Sequence, residues 1–157
     1  MNTHESIIAE LLKRMVKHMG VSSICDLLTP ELLKCKDEEG DTLVHFAATV
    51  ACFDELRSLL TPDMLMIQNN GGRTPLHMIR HPEHIEPIKD LLTPEALVVK
   101  DDQGETPIHF AVYFGFLGQI RSHLTKDMLS IENNDGETPF YWAERFGSSE
   151  LIKDLLK

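Results

Sequence analysis

The sequence repeats itself every 32 residues, and this period constrains the fold more than any other feature. Four glycines mark it, at Gly40, Gly72, Gly104 and Gly136. A threonine follows each glycine by two positions, at Thr42, Thr74, Thr106 and Thr138. Three residues further on come His45, His77, His109 and, in the last copy, Tyr141. Leucines keep the same spacing, at Leu27-Leu28, Leu59-Leu60, Leu91-Leu92, His123-Leu124 and Leu155-Leu156. The period predicts one domain of stacked units that cannot bury their apolar faces alone.

The period divides the chain into five units, each expected to hold one turn and two helices. Units 1 to 5 span 1–36, 37–68, 69–100, 101–132 and 133–157. Clusters of Asp, Asn and Gly predict tight turns, here called the tips, at 37–40, 69–72, 101–104 and 133–136. The threonine after each tip is an N-cap, so helix A begins there, and helix B is expected to end at the leucines. A second threonine, followed by an acid two residues on and in three copies by a proline between them, predicts a third short turn at 29–32, 61–64, 93–96 and 125–128.

The motif Asp-x-x-Gly-x-Thr-Pro-Leu-His-x-Ala resembles the ankyrin repeat. Unit 4 carries it as Asp101, Gly104, Thr106, Pro107, Ile108, His109 and Ala111. The resemblance covers about residues 37–157 and implies an all-α solenoid of stacked helix-turn-helix units with short β-hairpin-like tips. It also implies structural hydrogen bonds for Thr42, His45, Thr74, His77, Thr106, His109 and Thr138. The short period and the extra Thr-Pro turns are similar to ankyrin proteins that intracellular bacteria deliver into host cells.

Composition and charge exclude several other classes of protein. The 157 residues are 42% apolar and 25% charged, which is typical of one globular domain. The net charge of −10 and the absence of a long basic run disfavour nucleic-acid binding. No apolar stretch approaches the roughly 20 residues of a spanning helix, so no membrane insertion is expected. Cys25, Cys35 and Cys52 lack C-x-x-C spacing and fit reduced thiols, which predicts a cytoplasmic location, in a host cell if the chain is a bacterial effector.

The sequence offers weak candidates for chemistry. His77, His81 and His84 have a spacing that could hold zinc on one helix, but Pro82 interrupts that helix. Cys35 lies between two lysines without a base to activate it. Common nucleotide-binding, metalloprotease and hydrolase motifs are missing from the sequence. We expect no enzyme activity, no catalytic residue, no metal and no cofactor, and a histidine-based metal-responsive module stays as an alternative.

The resemblance implies a protein-binding function. In ankyrin proteins the tips and the exposed side of helix A form a concave face that holds other proteins. By repeat position this face comprises Glu38, Glu39, Asp41, Val50, Asn70, Arg73, His81, Asp102, Gln103, Glu105, Tyr113, Phe114, Asn134, Asp135, Glu137, Arg145 and Phe146. Unit 2 holds seven acidic and one basic residue, and unit 4 holds five and two. We expect a basic or mixed-charge protein partner.

The alternative function is a regulatory or targeting domain of a larger protein, such as a secreted bacterial effector, and a monomer is the default oligomeric state.

Several expectations bear on the first unit of the stack and on the aromatic residues. In unit 1, Asn2 and Glu5 predict a helix cap, and the apolar face of this helix comprises Ile7, Ile8, Leu11, Leu12, Met15 and Met19. We expect Phe46, Phe110 and Tyr141 in the core and Trp142 outside the binding site, and leave Phe114 and Phe146 open.

Overall fold

The computed structural model describes residues 3–156, apart from the side chains of Thr3 and Cys25, and that range is all-α, with no strand. The α-helices are α1 Thr3–Met19, α2 Pro30–Leu33, α3 Leu43–Val50, α4 Phe53–Leu56, α5 Pro94–Leu97, α6 Pro107–Tyr113, α7 Leu117–Ile120, α8 Lys126–Leu129 and α9 Pro139–Arg145. The 3₁₀ helices are Val21–Ser23, Cys25–Leu27, Pro62–Met66, Pro75–Met78, Pro82–His84, Glu86–Leu91, Arg121–His123, Ser149–Leu151 and Lys153–Leu156. The predicted cap Asn2 lies outside the described residues.

Helix A of units 2, 4 and 5 begins where the sequence predicts. These helices are α3, α6 and α9, and the threonine before each has extended backbone, as an N-cap does. Helix B is shorter than predicted, since α4 ends at Leu56 and α7 ends at Ile120, where a 3₁₀ turn takes over. The second leucine of the pair is nevertheless buried in units 1 to 3, and Leu124 is buried in unit 4.

Unit 3 departs from its neighbours because of its prolines. Its helix A is the single 3₁₀ turn Pro75–Met78, and its helix B is divided into Pro82–His84 and Glu86–Leu91. Pro82 and Pro87 each lack the amide proton that a continuing α-helix needs. The predicted interruption at Pro82 is confirmed.

The predicted third turn is present in units 1 to 4. It is α2, the 3₁₀ helix Pro62–Met66, α5 and α8 in turn. In the three α-helical copies a threonine hydroxyl accepts the N–H three residues on, from Leu32, Ala96 or Met128 at 3.2–3.4 Å. Each such cap satisfies one N–H that the start of a helix leaves unpaired.

One hydrophobic cluster runs along the chain from Leu12 to Ile152. It consists mostly of leucine, isoleucine, valine and alanine, with Phe53 and Phe116 as its large fully buried aromatic side chains. Helix α3 packs against the 3₁₀ helix Pro75–Met78, and α6 packs against α9. The core is therefore built by neighbouring units in contact, as the period predicts.

Three rows of hydrogen bonds also join successive units. Along the tips, main-chain N–H groups donate to the preceding tip, in the pairs Asn70 to Glu39, Asp102 to Gly71 and Asn134 to Gln103, at 2.9–3.1 Å. Just before the tips, side chains donate to the carbonyl 32 residues on, in the pairs Lys36 to Gln68, Gln68 to Lys100 and Lys100 to Glu132. The third row belongs to the motif histidines and is described with the site.

The apolar face predicted for α1 is partly wrong: Leu12 is buried and Met15 is partly buried against the core as predicted, but the other four residues are exposed. The buried residues are Ala9, Leu12 and Val16, whereas Ile7, Ile8, Leu11 and Met19 are exposed. Because α1 has a neighbouring unit on one side alone within the described chain, it buries a narrow stripe at i, i+3 and i+7 spacing. Gly20 directly follows the helix with a φ of 78°, a left-handed conformation that glycine adopts readily after a helix end.

Replacing Ala51 with glycine is expected to stabilise the protein by about 0.5–1 kcal/mol. Ala51 ends α3 in the left-handed conformation, with a φ of 61°, where units 4 and 5 have glycine. Its side chain is exposed, so the substitution removes backbone strain without removing packing. Urea denaturation of Ala51→Gly would measure the gain, and a loss of stability would contradict this account.

Candidate protein-interaction surface

The tips expose seven of the seventeen predicted binding residues to solvent. Each tip closes with a hydrogen bond from its first N–H to the carbonyl four residues on, as in Asp37 to Asp41 at 3.0 Å. The first side chain of the tip is an Asp or Asn that accepts main-chain N–H groups, as Asn133 does from Asp135 and Glu137. The predicted binding residues that the tips expose are Glu38, Glu39, Asn70, Asp102, Gln103, Asn134 and Asp135.

The residue that follows each tip is only partly exposed and has partners within the protein. Asp41 contacts Lys13 at 3.9 Å and accepts from the Asn69 amide at 2.7 Å. Arg73 pairs with the buried carboxylate of Asp101 at 3.1 Å. These contacts hold the side chains in place, so this row is less free to adapt than the tips.

The motif histidines form the third row between units. In each of units 2 to 4 the Nδ1 atom accepts the main-chain N–H of the capping threonine at 3.0–3.1 Å, so the proton lies on Nε2. Nε2 then donates to a carbonyl of the next unit, in the pairs His45 to Arg73, His77 to Glu105 and His109 to Glu137. Burial lowers the pKa of His45 and His109, and it lowers the pKa of His77 to about 4. All three are neutral at pH 7 and link the units.

An aromatic patch lies where units 4 and 5 meet, and it comprises Tyr113, Phe114, Trp142 and Phe146. Tyr113 is 56% exposed and Phe146 is 48% exposed. The Tyr113 ring meets the Phe146 ring edge to face at 5.4 Å and the Phe114 ring at 4.9 Å. Trp142 lies against both Tyr113 and Phe146, at 6.3 and 6.1 Å between ring centroids. These are the distances and angles of favourable aromatic pairs, so the four rings pack on one another.

Trp142 is the member of this patch that the sequence interpretation missed. Its indole N–H donates to the Glu137 carboxylate at 2.6 Å, and its ring meets His109 edge to face at 5.2 Å. One signal for this placement is present in the sequence: residue 142 directly follows the position of the motif histidine, where Phe110 stands in unit 4. The expectation of Tyr141 in the core is wrong, because it is 45% exposed, while Phe110 is buried and Phe46 partly buried.

Two arginines of unit 3 extend the patch. The guanidinium carbon of Arg80 lies 4.5 Å from the centre of the Phe114 ring, and that of Arg73 lies 5.4 Å from the centre of the Phe110 ring. Both are cation–π distances. Phe114 is therefore partly buried beneath Arg80, whereas Phe146 stays open, which resolves the question that the sequence left open for these two residues.

Carboxylates crowd beside the aromatic patch. Burial raises the pKa of the Glu105 carboxyl, and the negative charges of Asp101, Asp135 and Glu137 raise it further, while Arg73 opposes this effect. Glu137 also lies 3.8 Å from Arg145. Since these acids outnumber the basic groups near Glu105, the local field favours a positively charged ligand.

The remaining predicted residues are dispersed. His81 and Arg145 are exposed on the same repeat position as Tyr113. Val50 is exposed as predicted, but it lines a separate recess with Val21, Phe46 and Cys52. Thr138 accepts the N–H of Tyr141 at 3.1 Å, so the capping bond persists where the histidine is replaced.

The histidine and cysteine candidates are committed to other contacts. Both ring nitrogens of His77 are hydrogen-bonded, and Nδ1 of buried His84 bonds the Ala48 carbonyl at 2.9 Å. Among the side chains that the structure describes, which leave out Cys25, no group of three or more metal-ligating residues is assembled. Burial raises the pKa of the Cys52 thiol to about 12 and also raises that of Cys35, which disfavours the reactive thiolate. The side chain of Cys25 lies outside the described part of the chain.

Comparisons with known proteins do not assign a family. No family model matches the sequence, and a search of curated proteins found no significant match. Across the described residues, no helix is both long enough and apolar enough to cross a membrane.

Proposed function

We propose that this chain is an ankyrin-type solenoid and a non-catalytic module that binds another protein on the face formed by the tips and helix A. The motif, the contact between successive units and the three rows of hydrogen bonds support the repeat architecture. The aromatic patch is the observation that carries the proposal. In it, exposed rings pack on one another, and the acidic residues that act on nearby Glu105 outnumber the basic ones.

The chemistry of the patch defines the partner. Exposed tyrosine and phenylalanine side chains supply apolar area with little conformational entropy to lose, as in the energetic centres of protein interfaces. Glu137 accepts from the Trp142 indole of the patch and, with Asp135, acts electrostatically on Glu105, so these acids attract cations. The partner is therefore a protein segment that brings lysine or arginine together with an apolar side chain.

Selection from a phage-displayed random-peptide library would test this function. Peptides that bind the intact chain are expected to be enriched in lysine and arginine, and Tyr113→Ala should weaken them about 30-fold, the effect of losing an interface centre. Tyr141→Ala is the matched control, since Tyr141 is similarly exposed but occupies the motif-histidine position, and it should change affinity less than about twofold.

Charge provides a second readout of the same experiment. Glu105→Gln combined with Asp102→Asn should slow association and flatten its dependence on salt. Glu95→Gln, an exposed acid on α5, serves as the charge control. Peptides without a basic excess, or equal effects of the Tyr113 and Tyr141 variants, would reject this surface.

A further inference from the structure

A cleft lies between α1 and the tip of unit 2, at the opposite end of the chain from the aromatic patch. Its volume is about 460 Å³, within the usual range of ligand-binding clefts. It is lined by Ile7, Glu10, Leu11 and Arg14 from α1 and by Glu38 and Glu39 from the tip. We call it the α1 cleft.

The apolar part of the α1 cleft is available to a ligand. Ile7 is 57% exposed and Leu11 is 51% exposed, one helical turn apart on the same face. The core-facing side of α1 is fixed by Ala9, Leu12 and Val16, so rotation of the helix cannot bury Ile7 and Leu11 without exposing that stripe. An apolar pair held open in this way marks a contact surface.

The charged part of the α1 cleft is acidic. Asp37, which also lines it, is buried and paired with Lys13, so this carboxylate is already neutralised. Glu10, Glu38 and Glu39 are exposed, and Arg14 is the single basic side chain in the lining. The rim therefore has a net negative charge around an apolar floor.

We infer that the α1 cleft is a second docking site, which takes a protein segment with apolar side chains at helical spacing and lysines or arginines beside them. Ile7 and Leu11 would receive the apolar side chains, and Glu10, Glu38 and Glu39 would pair with the basic ones. This mode is the seating of an amphipathic helix against an apolar groove. The site is separate from the aromatic patch, because it shares no residue with it, although Glu38 and Glu39 also belong to the tips of the proposed binding face.

The charges argue against two other occupants. A two-fold contact between copies of the chain would bring the same acidic rim against itself, where like charges repel. A bilayer surface with anionic lipids would meet the same repulsion. A basic segment of another protein satisfies both the apolar floor and the acidic rim.

Binding of defined, fluorescently labelled peptides to the intact chain would test the site. The probe is a helix-forming peptide of lysine and leucine, compared with a lysine–serine peptide and a glutamate–leucine peptide. Fluorescence anisotropy should show tightest binding for the lysine–leucine peptide. Ile7→Ser with Leu11→Ser, or Glu38→Gln with Glu39→Gln, should each weaken it about fivefold or more. All four residues are exposed, so unchanged thermal melting would verify that these variants fold.

The variants separate this site from the proposed function. Binding that survives the α1-cleft substitutions but is lost in Tyr113→Ala would overturn the second site and leave the aromatic patch supported. Equal binding of the glutamate–leucine peptide, or no binding of the lysine–leucine peptide, would also overturn it. So would sedimentation with phosphatidylserine vesicles that depends on Ile7 and Leu11, or a dimer that dissociates when those residues are changed to serine.

Discussion

Lowering the pH from 7.5 to 5 should decrease the free energy of unfolding by about 2 kcal/mol through His77 alone. The folded pKa of His77 is about 4, because burial disfavours its charged form. The unfolded pKa is about 6.5, so the unfolded chain binds more protons between these values. Stability from this residue is complete above about pH 6.5 and is lost as the pH falls towards 4. His45 and His109 act in the same direction, since burial lowers their pKa values too.

The variant His77→Gln isolates this contribution. It should be less stable at pH 7.5, because it leaves the buried N–H of Thr74 and the carbonyl of Glu105 without their present partner. Its stability should, however, change about 2 kcal/mol less between pH 7.5 and 5 than that of the natural chain. Urea denaturation at both pH values measures this difference. Parallel pH profiles for the two proteins would refute the assignment of the acid sensitivity to His77.

Gly104→Ala is expected to destabilise the protein by about 3 kcal/mol or more. Gly104 has a φ of 73°, and a Cβ atom there would lie 2.6 Å from the Asn134 amide oxygen and 2.8 Å from its main-chain nitrogen. The next tip would have to move away. That movement strains the hydrogen bonds from Asn134 to the carbonyls of Gln103 and Asp102, both 2.9 Å.

Gly136→Ala is the matched control for this prediction. Gly136 has the same left-handed backbone, with a φ of 77°, but its Cβ would meet no atom of the described chain within 4 Å. Its substitution should therefore cost about 1 kcal/mol, from backbone strain alone. Urea denaturation of the two variants gives the comparison. Equal losses would mean that close contact between tips contributes nothing to stability.

The repeat was predictable because its signals are local. A threonine before a proline caps a helix, a glycine permits a tight turn, and a histidine three residues after the threonine completes the cap, so each acts first on its own unit. Such patterns predicted the starts of the A helices α3, α6 and α9, the third turns, and the interruption at Pro82 in unit 3. The length of helix B was harder to predict. The ends of α4 and α7 lack a local stop signal such as glycine or proline, so they depend on how the units pack together.

The candidate site was predictable in its position but not in its geometry. Repeat register placed Tyr113 and Phe146 on one face, and both are exposed. Register cannot show that the Arg80 guanidinium covers Phe114 or that Glu137 fixes Trp142, since these contacts join residues of different units or positions. The exposed side of α1 was also beyond the sequence pattern, because Ile7 and Leu11 fit a helical apolar stripe as well as Leu12 does.

The sequence by itself determined the 32-residue period, the turns and caps, and the acidic charge of units 2 and 4. These depend on backbone preferences and composition within each unit, which a linear pattern records. The tertiary structure alone decided which carboxylates are already paired, as Asp37 is with Lys13 and Asp101 is with Arg73, and which remain free for a partner. The reason is that pairing depends on distances across the interface between units, and side chains separated by 24 or 28 residues meet there.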